Sequence, residues 1–254
     1  MMDKKYFFFD IDRTLGLDIS QVIPADTVYC LRRLQQEGHF IAIATGRLQC
    51  DGWRTAHRYG IPSMVSDGGN SLTLDGKVIE MEGLPMENCR ALLHELERRH
   101  LPWAIFPDNT LLRYTPYEEF RHLGQANLFT TVVQPIDIDQ VQRIYKLVHV
   151  RPAPGDPPLS TYGLSRLPYI TNTYLVEPTD KGAGIRRLLA HIKARPEDAV
   201  VFGDGLNDLA MFVPPFFRIA VGNARPELKE RADFVTKAND KGGILYACRK
   251  FGWL

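Results

Sequence analysis

Tyr6 to Phe9 is a run of four aromatic residues that stops at Asp10, with Asp12 two residues later, and few folds accommodate that order of events. The run has no polar–apolar alternation, so it predicts a short strand covered on both faces, as in a parallel sheet packed between helices. Two carboxylates at the end of such a strand repel each other and lose hydration. A hard divalent cation relieves both costs, and Mg²⁺ is suited by one or two carboxylates completed with water and substrate phosphate. A strand-end aspartate that caps a turn is an equal alternative on the spacing of Asp10 and Asp12 alone.

The residues that follow have the grammar of a βαβ unit. Val28, Leu31 and Leu34 recur at helical spacing over 25–37 and end at Gly38, a suitable residue for a helix C-terminus. Phe40 to Ala44 is a second short apolar run, followed by Thr45, Gly46 and Arg47. Parallel strands joined in this way put Asp10 and Thr45 on one edge of the sheet, where α/β folds bind ligands.

The far end repeats the pattern. Ile185, Leu188, Leu189 and Ile192 stripe a helix over 184–192, and Ala199 to Phe202 is an apolar strand running into Gly203-Asp204-Gly205-Leu206-Asn207-Asp208. Short strands at 217–221 and 234–235 and a helix over 242–251 complete it. Both termini therefore belong to one doubly wound, Rossmann-like α/β core.

The middle has a different texture, with 11 of the 17 prolines lying between Pro85 and Pro178. Leu92, Leu93 and Leu96 predict a helix over about 86–99, one of about two helical segments there. Four strand-like stretches lie at 103–106, 111–114, 143–150 and 169–176, and the Pro-rich 151–158 is a loop. Few helices and consecutive strands suggest an antiparallel α+β insert. At roughly 150 residues per domain, a chain of 254 residues fits a discontinuous core, 1–82 and 178–254, with an inserted domain at 83–177.

Asp204 and Asp208 end a strand expected beside the first, so Asp10, Asp12, Asp204 and Asp208 would converge on one cation; an ordinary Asx turn is the plainer reading of the loop. Thr45 and the Gly46 N–H can hold phosphate oxygens, or simply cap a helix. Lys181, in DKGAGI, starts the helix that precedes the Asp204 strand and is either a solvated lysine or an ammonium placed between Asp10 and a phosphate, where it would reduce repulsion between nucleophile and dianion.

The strings DIDRTL, IAIATGR, DKG and GDGLNDLAMF, in that order, resemble the haloacid dehalogenase superfamily, and specifically its Cof-type phosphatases with a C2 (type IIB) cap between the second and third motifs. The tail IAVGNARPELKERADFVTKANDKGGI is similar to that family's C-terminal pattern. The likeness covers about residues 4–80 and 178–251, and the insert matches by size and placement more than by residues. The resemblance implies a phosphatase using Mg²⁺ and an aspartyl-phosphate intermediate. Asp10 would be the nucleophile and Asp12 the acid and base. Asp10, the Asp12 backbone carbonyl and Asp204 would hold the metal, with Asp208 as a ligand or a support. Thr45, Gly46, Lys181 and Asn207 would surround the phosphoryl group, and Arg47 would meet the phosphate or orient Asp10. One position departs from the pattern: the family usually has Gly after the second Asp, and here it is Arg13. If that position needs φ above zero, a non-Gly residue costs roughly 1 kcal/mol or more.

The net charge of +1 gives no global field for nucleic acid or an anionic membrane. The apolar runs are far shorter than the roughly 20 residues of a membrane span, and Lys4 and Lys5 precede no signal-peptide core. Cys30, Cys50, Cys89 and Cys248 form no CxxC pair, so reduced thiols in a cytoplasmic protein are expected, with no zinc site. The insert's Trp103, Phe106, Tyr114, Tyr117 and Phe120 read better as its core than as a substrate platform. The expected function is thus a cytoplasmic, Mg²⁺-dependent phosphatase, monomeric or weakly dimeric, acting on a small phosphorylated metabolite such as a sugar phosphate. A phosphotransferase resembling phosphomannomutase and a non-catalytic phospho-ligand binder are the alternatives. The second is disfavoured because a binder needs no nucleophile and acid together.

Overall fold

The computed structural model describes residues 3–18, 22–123, 128–170 and 172–254. The chain divides into two compact units, Met1–Arg47 with Gly52–Met81 and Thr179–Leu254, and Leu48–Asp51 with Glu82–Pro178.

The first unit begins with β1 (Tyr6–Phe9), α1 (Ala25–Gln36) and β2 (Phe40–Ala44), the three elements that periodicity predicts. The next elements, α2 (Gln49–Arg58), β3 (Ser63–Ser66), β4 (Ser71–Leu74) and β5 (Lys77–Met81), are ones that periodicity left unassigned. The short, Ser-containing β3 and β4, the largely exposed β5 and the Gly- and Asp-rich turns carry little pattern. The second unit contains α3 (Met86–Arg98) and strands β6 (Trp103–Phe106), β7 (Leu112–Thr115), β8 (Thr130–Val133), β9 (Lys146–Val150), β10 (Arg166–Pro168) and β11 (Thr173–Val176). The first unit resumes with α4 (Lys181–His191), β12 (Ala199–Gly203), β13 (Phe217–Ala220), α5 (Pro226–Lys229), β14 (Phe234–Val235) and α6 (Gly243–Lys250).

In the first unit the sheet order is β14-β13-β12-β1-β2-β3-β4-β5, parallel from β14 to β3 and closed by two antiparallel strands. β1 lies between β12 and β2, with Phe9 level with Phe202 and Ile43, so the residues after these three strands share one edge. The aromatic run is buried on both faces as its lack of alternation requires. Phe7 and Phe9 pack with Leu31 and Leu34 of α1 and Ile244 of α6, whereas Phe8 packs with Ile185 and Leu188 of α4 on the other face. Each buried Phe stabilises the core by about 1.5–3 kcal/mol, so β1 is a well-fixed platform for whatever follows it.

The second unit is a six-stranded sheet, β10-β11-β9-β6-β7-β8, covered on one face by α3. Cys89, Leu92, Leu93 and Leu96 of that helix meet Trp103, Ile105, Leu147 and Val176. Three expectations need correction. Among the described residues there is one α-helix rather than about two, and the other turns are short 3₁₀ pieces. There are six strands rather than four, because β8 and β10 are short and too polar or proline-bound to show in the pattern. The pairing is antiparallel except between β7 and β8, which run parallel. The aromatics do serve the unit's own core: Trp103 and Phe120 are fully buried, and Trp103 Nε1 and Tyr117 Oη both donate to Glu97 at 2.7 and 2.8 Å. Among the described residues no helix is long and apolar enough to cross a membrane.

Candidate active site

Asp10 leaves β1 with φ −66° and ψ 156°, and its N–H still bonds the Phe202 carbonyl at 3.0 Å, so the aspartate is fixed to the sheet from below. The chain then makes a wide turn, Ile11–Leu15, closed by Leu15 N–H to Asp10 O at 3.1 Å and Gly16 N–H to Ile11 O at 2.8 Å. Arg13 sits within it at φ 61°, ψ 7°, in the left-handed region. The departure from glycine is therefore at a position that does want glycine, and it costs about 1 kcal/mol. Its side chain is half exposed, with Nε 3.7 Å from Asp204 Oδ2.

Lys181 is the first residue of α4, where the sequence places it, three residues ahead of the stripe over 184–192. Asp180 caps the helix by accepting from the Ala183 N–H at 2.8 Å. Gly182, a poor helix former, follows in the first turn. It is required there because a Cβ would collide with the Ala210 carbonyl. The ammonium of Lys181 is 1% exposed and donates to Asp10 Oδ1 at 2.7 Å and Asp208 Oδ1 at 2.6 Å. Asp208 Oδ2 accepts from the backbone N–H groups of Asp204 and Gly205 at 2.9 and 3.0 Å. Both oxygens of Asp208 thus support the site, while Asp204 presents a carboxylate touched by the Thr14 hydroxyl at 3.3 Å.

Among the described residues, Asp10, Asp204 and Asp208 offer ligand oxygens within 4.8 Å of one another, all buried. The Asp12 side chain is not in that group. Arg47 grips it with Nε at 2.8 Å from Oδ2 and Nη2 at 2.6 Å from Oδ1, a two-point fork that fixes the carboxylate's orientation. Convergence of four carboxylates is accordingly corrected to three, with Asp12 set apart on the same turn. Burial drives the Asp10 carboxyl well above its ordinary range, against the pull of Lys181. Burial and the nearby Asp208 raise Asp204 to about 6. Lys181 is held charged: burial opposes its charge, but the two carboxylates outweigh it and raise its pKa. Three carboxylates and one ammonium leave an excess of two negative charges when ionised. Hard oxygen donors with that excess fit a hard dication such as Mg²⁺.

Thr45 follows β2, is buried, and its hydroxyl accepts from the Arg47 N–H at 3.1 Å. Gly46 is half buried beside it, and Asn207 is exposed on the turn between Asp204 and Asp208. The predicted residues therefore lie at the ends of β1, β2 and β12 and the start of α4, which the parallel topology brings to one edge. Sequence reasoning missed three contributors. Thr14 was visible in DIDRTL as a hydroxyl within the turn. Asn223 and Asn239, which bond the carbonyls of Arg13 and Gly16, follow β13 and β14, on the sheet edge where ligands bind, and that topology was the available signal.

The chain matches the haloacid dehalogenase-like hydrolase family over residues 7–159 and 170–248. It is 37% identical over 257 residues to the phosphoglycolate phosphatase of Methanosarcina acetivorans, covering 100% of both chains. To a candidate phosphatase of Bacillus subtilis (strain 168), YkrA, it is 30% identical over 257 residues, again covering 100% of both. The crystal structure of a hypothetical protein from Geobacillus kaustophilus HTA426 superposes with a TM-score of 0.87 at 30% identity, over 99% of this chain and 100% of that one.

Proposed function

Since the chain belongs to the haloacid dehalogenase-like hydrolases and is a Cof-type phosphatase, we propose that it hydrolyses a small phosphate monoester, a sugar phosphate, through an aspartyl phosphate on Asp10. The observation that carries this reading is the pairing of two differently treated carboxylates on one turn. Asp10 is buried against Lys181, and Asp12 is held apart by the Arg47 fork.

In the first half-reaction an Asp10 oxygen attacks phosphorus in line, the phosphorus–oxygen ester bond breaks, and protonated Asp12 gives its proton to the leaving oxygen, releasing an alcohol. In the second, Asp12 takes a proton from water, the hydroxide attacks phosphorus, and the bond to Asp10 breaks, giving inorganic phosphate and the Asp10 carboxylate. Lys181 keeps positive charge beside the nucleophile throughout, lowering its repulsion with the dianion. Thr45 and the Gly46 N–H, at the C-terminal end of β2, are the donors read as meeting the phosphoryl oxygens, together with Asn207. Asp10, the Asp12 backbone carbonyl and Asp204 would hold Mg²⁺, with Asp208 orienting Asp204 and Lys181. The ion would neutralise charge on the transferring phosphoryl group.

Residues 83–177 are read as a cap that selects the substrate. A relative named for phosphoglycolate supports a small aliphatic monoester as the substrate class. Four cysteines in the thiol form support a cytoplasmic setting. The test is phosphate release from a hexose 6-phosphate and from p-nitrophenyl phosphate, with and without Mg²⁺, by the wild type and Asp10→Asn. We expect Asp10→Asn to lose about a thousandfold or more in kcat, and Asp12→Asn to accumulate a covalent phosphoprotein visible by mass spectrometry. Equal rates for Asp10→Asn and wild type overturn the reading.

A further inference from the structure

The turn 11–15 has to hold Asp12 while containing a left-handed arginine, and the two bonds that close it, Leu15 N–H to Asp10 O and Gly16 N–H to Ile11 O, involve neither the N–H nor the carbonyl of that residue. A strained non-glycine residue persists only where its surroundings over-determine it. The surroundings here come from the opposite end of the chain. Asn223, in the loop after β13, donates from Nδ2 to the Arg13 carbonyl at 2.8 Å. Its Oδ1 accepts the Asn239 N–H at 2.9 Å. Asn239, 6% exposed, donates from its own Nδ2 to the Gly16 carbonyl at 2.7 Å. Both carbonyls that bracket the end of the turn are therefore gripped by two linked carboxamides.

The chemistry of the pair is specific. Asn223 must donate to a carbonyl and accept from an N–H at once, which an amide does and a carboxylate cannot, and only one orientation of the amide satisfies both partners. The loops that present the pair are themselves locked. Gly222 N–H bonds Lys237 O at 2.9 Å, the Arg225 N–H bonds the Asp204 carbonyl at 2.8 Å, and a Cβ on Gly222 would lie 2.5 Å from the Ala238 nitrogen. The bracket thus ties the turn bearing Asp12 to the strand end bearing Asp204. The tail motifs VGNAR and KANDKGG, which the chemistry above leaves without a role, supply it.

We propose that Asn223 and Asn239 are positioning residues for proton transfer: they touch no reacting atom, but fix the turn so that the Asp12 carboxyl reaches the leaving oxygen. This rests on the reading of Asp12 as the acid. Its test exploits the leaving group, because p-nitrophenolate departs without a proton whereas an alkoxide does not. The single-turnover rate of leaving-group release is measured for an alkyl and an aryl monoester with wild type, Asn223→Asp, Asn223→Ala and Asp12→Asn, all as the full chain. Asn223→Asp keeps the shape but loses the donor and so keeps the test alive if Asn223→Ala folds poorly.

We expect both Asn223 variants to slow release from the alkyl ester about tenfold to a hundredfold, the size of an ångström-scale misplacement. KM should stay within about twofold, and the aryl ester should lose less than about threefold. In an Asp12→Asn background, adding Asn223→Asp should change neither rate further. Equal losses on both esters, a loss confined to KM, or additive effects with Asp12→Asn overturn the proposal. If Asp12→Asn itself fails to discriminate between the two esters, the assignment of Asp12 as acid falls first, and that failure is distinct from one seen only in the Asn223 variants.

Discussion

Replacing Lys181 by methionine removes one positive charge from the most buried part of the site while nearly conserving volume, so the cavity term is small. In the wild type the ammonium lies 2.7 Å from Asp10 and 2.6 Å from Asp208 and is 1% exposed. Without it, three carboxylates whose ligand oxygens lie within 4.8 Å of one another keep backbone N–H donors, the Thr14 hydroxyl and the half-exposed Arg13 as compensation. Two like charges at that separation repel by about 3–4 kcal/mol at an effective dielectric constant of about 20. Breaking a buried ion pair by removing one partner costs about 3–5 kcal/mol. The two figures agree, and the expected loss in urea denaturation at pH 7.5, with a chelator present, is about 3–5 kcal/mol.

The deficit has a sign in pH. Losing the ammonium raises the carboxyl pKa values further, so the folded variant binds a proton that the unfolded chain does not. Each such proton returns about 1.4 kcal/mol per pH unit as the pH falls, so one proton leaves a deficit of about 0.2–2.2 kcal/mol at pH 5.5. A loss below about 1 kcal/mol, or one independent of pH between 5 and 8, would refute the view that Lys181 is the counter-ion holding the carboxylates together.

Asp204, raised from 3.8 to about 6 by burial and by Asp208, binds its proton more tightly when folded. The metal-free protein should therefore lose about 3 kcal/mol as the pH rises from about 4 through about 6. The rise in melting temperature given by saturating Mg²⁺ should be small below that window and full above it; a Mg²⁺ effect that grows on acidification would contradict this. Arg13→Gly relieves the left-handed strain at φ 61° and should raise the melting temperature by about 2–4 °C. A fall would mean that the contact with Asp204 outweighs the strain, and unchanged kcat and KM would remove the side chain from the chemistry. Gly182→Ala drives a Cβ into the Ala210 carbonyl and should destabilise by more than about 3 kcal/mol. Gly38→Ala, at φ 86° with open space around it, should cost only about 1 kcal/mol; similar costs for the two would show that the close approach is not rigid.

The elements most legible in the sequence are those whose burial is uniform. β1, β2, the 103–106 strand and the strand beginning at Ala199 lie where the apolar runs put them, because a strand covered on both faces has to be apolar throughout. The region 48–81 was not legible. Its strands are short, hydroxyl-rich in β3 and β4 and largely exposed in β5, and they hold their place through sheet pairing rather than periodicity. In the insert, β8 and β10 are likewise edge or near-edge strands that lean on neighbours for definition.

The parallel α/β class, the edge on which the chemistry gathers, and the residues Asp10, Asp12, Thr45, Lys181, Asp204 and Asp208 all follow from the order of amino acids. A charged group at the end of a buried strand loses hydration, and a cation, an anion or an opposite charge has to compensate that loss. How those charges are partnered is a property of the folded molecule. Lys181 bridges Asp10 and Asp208, Arg47 takes Asp12 out of the cluster, and two asparagines more than two hundred residues away hold the turn between them. Such pairings depend on ångström distances across the sheet edge, and strand order fixes these only once β12, β1 and β2 are side by side.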